Sequence, residues 1–235
     1  MYYFFISIVS YFLGSIPFAY LITRWFTGQD IRKIGSGNIG TLNTFRAVKE
    51  NKGIKLAIIA FFLVLIGDMG KAVLAIFSTQ KLFIYLHLPF NSYLISLVLS
   101  AAFVVLGHNY SIFLKFQGGR GAACLMGIFL YLDPLSLIIW GVPILIASII
   151  TELILEKRAV FKISQLFSAI GTQMVGRVIG IVLGVIFLYF YNVQIFYISL
   201  IPVILLLIKN IDRVKKYFQE LKLRKAKINS QVKNN

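Results

Sequence analysis

The chain has 235 residues, 59% of them hydrophobic and 14% charged, with 24 Lys and Arg against 8 Asp and Glu, a formal net charge of +16. A soluble domain is about 45–50% apolar and roughly 25% charged, so this composition excludes an ordinary soluble globule, a disordered chain and a collagen. The single cysteine, Cys124, excludes an internal disulfide and a thiolate metal cluster.

A helix needs roughly 20 apolar residues to cross a bilayer, and each hydrophobic stretch is tested against that length. Phe4 to Phe26 passes, and it lacks the charged leader and small-residue cleavage site of a signal peptide, so it is expected to be a retained span. Gly14–Ser15–Ile16–Pro17 inside it predicts a backbone break facing the bundle. Leu56 to Phe77 passes while carrying Asp68 and Lys71. Tyr93 to Leu106 is short, and reaches spanning length only if it starts at Leu86, across Pro89. Ala122 to Tyr131 is too short alone and is expected to extend from inside the preceding loop. Leu135 to Leu155 passes, with Pro143 as a kink. Ile170 to Tyr189 passes with Arg177 near its start, and Gln194 to Ile208 closes the series.

Charge between these stretches sets the orientation. Residues 24–55 hold Arg24, Arg32, Lys33, Arg46, Lys49, Lys52 and Lys55 against Asp30 and Glu50. Residues 107–121 hold Lys115 and Arg120, residues 152–162 hold Lys157, Arg158 and Lys162, and the tail from Lys209 is strongly basic. The alternate loops are nearly bare. The positive-inside rule then predicts an all-α polytopic membrane protein of seven transmembrane helices, with the N-terminus outside and the C-terminus cytoplasmic. Residues 1–208 form the membrane domain in this reading, and 209–235 a basic tail against anionic lipid.

Three basic-side segments carry more chemistry than a loop requires. In Gly35–Ser36–Gly37–Asn38–Ile39–Gly40–Thr41–Leu42–Asn43–Thr44–Phe45–Arg46, the glycines Gly35, Gly37 and Gly40 free the backbone to form an anion nest. Ser36, Asn38 and Asn43 add short donors, and Arg46 adds a fork that matches phosphate. In Gly107–His108–Asn109–Tyr110 and the following Lys115–Gly121, three glycines (Gly118, Gly119, Gly121) surround Arg120 just before an apolar helix. The Lys–Ser/Thr ending of a nucleotide P-loop is missing, which excludes ATP or GTP binding. Lys209–Asn210–Ile211–Asp212–Arg213 ends the last span. Each segment also reads as turn residues with positive-inside charge. Lys71 either pairs with Asp68, one helical turn away, or reaches a substrate phosphate. Arg177 reads as a snorkelling residue. Four aspartates at 30, 68, 133 and 212 are too scattered for a metal-dependent head-group transferase, and no metal or cofactor is expected.

These segments, with Gly14–Ile22 of the first span and the run from Arg46 to Lys71, resemble the acyl-phosphate:glycerol-3-phosphate acyltransferase family (PlsY) of bacterial inner membranes. The resemblance covers nearly the whole chain. It implies seven transmembrane helices and transfer of a fatty acyl group from acyl phosphate to the 1-hydroxyl of glycerol 3-phosphate. The products are lysophosphatidic acid and phosphate, in the first step of phospholipid synthesis. By position it assigns Ser36, Asn38, Asn43 and Arg46 to the first phosphate-lining segment, and His108 and Arg120 to the second. Ser164 matches a serine before the sixth span, and Asn210 and Arg213 match the end of the last. Lys71 and Lys209 stand as further phosphate contacts. The departures are Leu42, where the family has threonine, Ala72, where it favours glycine, and Leu207, where it has histidine.

Acyl phosphate is already activated, so no covalent nucleophile is required. The expected mechanism is direct attack by the glycerol hydroxyl, with a phosphate oxygen of the donor taking the proton. Membrane lipids and other phospholipid-synthesis enzymes are the expected partners, and nucleic acid is not. The competing readings are a silent relative acting as a membrane scaffold, and a small lipid or anion transporter.

Overall fold

The computed structural model describes residues 1–155, 174–215, 217–219 and 223. Ser164 and the expected start of the sixth span at Ile170 lie outside the described residues.

The apolar runs fold as helices: α1 (Tyr2–Ser15), α2 (Phe18–Thr27), α3 (Thr41–Lys52), α4 (Ile54–Tyr85), α5 (Tyr93–Asn109), α6 (Ala122–Leu132), α7 (Pro134–Leu155), α8 (Met174–Tyr191) and α9 (Val193–Ile208). Five described segments are long and apolar enough to cross a bilayer: Tyr2–Thr27, Ile54–Tyr85, Phe90–Asn109, Pro134–Ile154 and Met174–Tyr191. α9 makes a sixth when joined to Ile211–Gln219, which bends 46° from it. The chain is a polytopic all-α membrane protein. Large apolar side chains such as Phe4, Ile66, Ile154 and Phe190 face outward, as a lipid environment allows.

The first span is broken where the sequence predicts. Pro17 has no N–H and cannot continue α1. The carbonyls left without helical donors are recovered by side chains: Lys71 Nζ donates to Ile16 O at 2.9 Å and Ser111 Oγ donates to Ser15 O. The third span departs from expectation. It does not run helically from Leu86; a 3-10 turn at Phe90–Ser92 follows Pro89, and α5 begins at Tyr93.

α6 also corrects the sequence reading. It does not extend back into the preceding loop but starts at Ala122, behind Gly121 at φ +89°. Its 11 residues rise about 16 Å, roughly half the hydrocarbon core. The deficit is met by the loop. Gly118 lies on the backbone of His108 and Asn109, and Gly121 lies against Val105, so residues 118–121 fold back along the last turns of α5. Leu125, Ile128 and Phe129 of α6 then join Ile76, Val104, Val105 and Leu206 in the main core.

α7 and α8 pair along their lengths. Gly176, Gly180 and Gly184 line the contact, and a side chain at any of them would run into α7 between Trp140 and Thr151. This is the small-residue spacing by which helices approach closely in a membrane. Pro143 sits inside α7 without ending it.

Candidate active site

The loop 28–40 is built by Asn43. Its amide donates to Ile31 O at 3.2 Å and Ile34 O at 3.0 Å, and its oxygen accepts from Ser36 N–H at 3.2 Å. Gly35 and Gly37 take the positive φ the turn requires, +54° and +67°. Gly40 is extended, at φ −168°, and not left-handed as the glycine pattern predicts. It caps α3, accepting from Asn43 and Thr44 N–H at 3.1 Å. Thr44 Oγ1, fully buried, joins Thr23 and the Ala19 carbonyl, tying α3 to α2. Ser36 and Arg46 stay exposed, and Asn38 is half-buried beside Gly40. The Thr41 and Leu42 N–H groups precede the first helical hydrogen bonds of α3, a position that attracts anions.

The second segment brings Arg120 to the start of α6 behind Gly121. Burial, Arg213 and Arg177 push its guanidinium down to about 9, so it keeps its charge at neutral pH while surrounded by like charge. Lys209, just past α9, stacks over the Tyr110 ring at 3.9 Å, and burial and Arg120 push its ammonium below the ordinary lysine range. Arg46 is near enough for its charge to act on Arg213. Five cations therefore act on one another at this end of the bundle: Arg46, Arg120, Arg177, Lys209 and Arg213. Asp212 opposes them through its charge on Lys209. Asn210, buried, spends its amide on Leu206 O at 2.7 Å.

Lys71 lies in a separate buried group. Its ammonium contacts Asp68 Oδ1 at 2.8 Å and the Phe18 ring at 5.9 Å, besides Ile16 O. His108 Nδ1 is 3.4 Å from the same Asp68 oxygen, a partner in space that sequence distance conceals.

Two residues outside the sequence-predicted set reach these groups. Arg177 reads as a snorkelling residue, yet its charge acts on Arg120; its position as a lone arginine in an apolar helix was the available signal. Asn109, fully buried, donates to Leu205 O at 3.4 Å and so links α5 to α9, with its oxygen facing Gly121. Of the departures, Leu42 is exposed in the first turn of α3, and Leu207 packs against the main core.

The family model "Glycerol-3-phosphate acyltransferase" matches residues 4–219. The chain belongs to this family. Among curated relatives, it is 40% identical over 144 residues to glycerol-3-phosphate acyltransferase 2 of Moorella thermoacetica, covering 61% of this chain and 64% of that protein. It is 35% identical over 179 residues to the glycerol-3-phosphate acyltransferase of Pelagibacter ubique, covering 74% and 77%. The match thus spans less than two thirds of the length of the Moorella relative and more of the Pelagibacter one. The fold also resembles the crystal structure of PlsY (YgiH), an integral membrane glycerol 3-phosphate acyltransferase, in its glycerol 3-phosphate form. There the TM-score is 0.64 at 21% identity, with 94% of each chain covered, which shows a shared fold.

Proposed function

We propose that this protein transfers a fatty acyl group from acyl phosphate to the 1-hydroxyl of glycerol 3-phosphate in the bacterial cytoplasmic membrane. The observation that carries this reading is the cluster of Arg46, Arg120, Arg177, Lys209 and Arg213, whose like charges a bound anion would offset. Both substrates carry a phosphoryl group, and two such groups would offset the cluster. The orientation has the N-terminus outside, so the basic segments face the cytoplasm, where soluble glycerol 3-phosphate is found. α6, followed by α7, makes the short member of seven crossings. The basic residues that follow Lys209 in the sequence would attract anionic lipid on the cytoplasmic side.

In the transfer step the glycerol oxygen bonds to the acyl carbonyl carbon. The bond from that carbon to the phosphate oxygen breaks, and a phosphate oxygen takes the hydroxyl proton. Acyl phosphate supplies its own leaving group, so positioning and electrostatics carry the rate. Arg46 and Arg120 hold the two phosphoryl groups, with Lys209, Arg213 and Arg177 balancing the remaining charge. The side chains of Ser36 and Asn38 and the Thr41 and Leu42 N–H groups at the start of α3 orient the donor. The side-chain donor absent at Leu42 leaves its backbone N–H in place at the start of α3. Leu207 offers no donor, and the charge at that helix end comes from Lys209, Arg213 and the neighbouring Arg177. Asn43 and Asn210 shape the backbone that carries these groups.

The test is phosphate release from a defined acyl phosphate by the purified, detergent-solubilised chain, with and without glycerol 3-phosphate. Release that requires glycerol 3-phosphate and yields equal lysophosphatidic acid is expected. Arg120→Ala is expected to raise KM for glycerol 3-phosphate by roughly tenfold or more, since a charge-assisted contact is worth about 1.5–3 kcal/mol. Release that ignores glycerol 3-phosphate, or none from folded protein, removes the assignment.

A further inference from the structure

Three buried ionisable side chains, Asp68, Lys71 and His108, take no part in the transfer step above. They form one line of contacts. α1 and α5 cross where Gly14 rests on the Val104 backbone and Gly107 on the Tyr11 carbonyl, which brings His108 level with the break in the first span. Lys71 holds the Ile16 carbonyl at that break and Asp68 at 2.8 Å. Asp68 Oδ1 in turn faces His108 Nδ1 at 3.4 Å. An ionised carboxylate only accepts, so Nδ1 presents its N–H there. The other ring nitrogen, Nε2, packs on Gly119, where any Cβ would overlap it. Gly119 N–H donates to the His108 carbonyl at 3.0 Å. Arg120 is the next residue.

We propose that His108, anchored by Asp68 and Lys71, is a positioning residue that fixes the Gly118–Gly119 turn and so aims Arg120 at its phosphoryl group. This rests on the phosphate-binding role given to Arg120 above. The cavity between Ser15, Asp68, Lys71, His108, Ser111 and Gly119 measures about 10 Å³, room for about one water and none for a phosphoryl group. The three side chains therefore act through the turn and do not touch the substrate.

Two near-isosteric variants separate positioning from contact. His108→Asn keeps a donor at the Nδ1 position facing Asp68. His108→Gln keeps one at the Nε2 position and leaves Asp68 without it. Calorimetric titration of the purified full chain with inorganic phosphate is the readout, alongside KM and kcat for glycerol 3-phosphate. Both variants are expected to bind phosphate about tenfold more weakly, H108N because it leaves Gly119 without the Nε2 contact and H108Q because it leaves Asp68 without its partner, with the loss in KM exceeding that in kcat. In an Arg120→Ala background, H108Q is expected to add less than about twofold, because Arg120 is the route by which His108 acts. The proposal is overturned if either variant binds like wild type, or if the H108Q and R120A losses multiply. Should both His108 variants bind weakly, the double variant decides: no added loss supports the proposal, and multiplied losses overturn it. A wild-type chain that binds phosphate but transfers no acyl group removes the proposed activity and leaves the positioning result standing. A wild-type chain that binds no phosphate removes both.

Discussion

At Asn43 a single side chain holds three backbone groups of the first loop, and both its amide hydrogens and its oxygen are engaged. Its replacement by Ala leaves Ile31 O, Ile34 O and Ser36 N–H without those partners. Asn43→Ala is expected to cost roughly 1–3 kcal/mol in unfolding free energy in detergent and to remove most turnover, because the loop that carries Ser36 loses its frame. Asp30 offers a different test. Hydrogen bonds from the Arg32 side chain hold its carboxyl at about 2, below the ordinary 3.8. A carboxyl depressed on folding stabilises the folded state above its unfolded value and loses that contribution as pH falls through the folded one. The stability difference between wild type and Asp30→Asn is therefore expected to be full above about pH 4 and to shrink toward zero near pH 2, followed by chemical denaturation in detergent. Arg46, Arg120, Lys209 and Arg213 were legible one by one as cations in glycine- or asparagine-bearing segments. The role of Asn43 as frame was not legible, because its partners lie 7 to 12 residues back along a turn with no fixed period.

At the scale of elements, hydropathy marked the long helices because a period or a run length is a local property. The break at Pro17 was legible for the same reason: a proline removes a donor wherever it stands. α6 was misread because its short length is resolved by the loop before it, which returns along α5, and that return is tertiary. The α7–α8 pair gives the clearest packing prediction. Gly180→Leu would drive atoms into the Ile144 and Pro143 backbone and is expected to cost about 1–3 kcal/mol or to separate the helices. Gly141→Ala on α7 meets nothing within 4 Å and is expected to be neutral or slightly stabilising, both variants being followed by thermal unfolding in detergent.

Over the whole molecule, Arg46, Arg120, Arg177, Lys209 and Arg213 converge at one end of the bundle, where the proposed function places the substrates. The pair Asp68 and Lys71 bears on how such a bundle is made. The two residues are three positions apart on α4, so they can meet as soon as that helix forms, before any neighbour is present. The segment can thus leave the translocation machinery with its charges already offset. Asp68→Ala alone is expected to lower the fraction of chains integrated in a cell-free membrane insertion assay, and Asp68→Ala with Lys71→Ala to restore it. The interaction that later anchors the site would then first serve biogenesis, as the passport of α4 into the lipid.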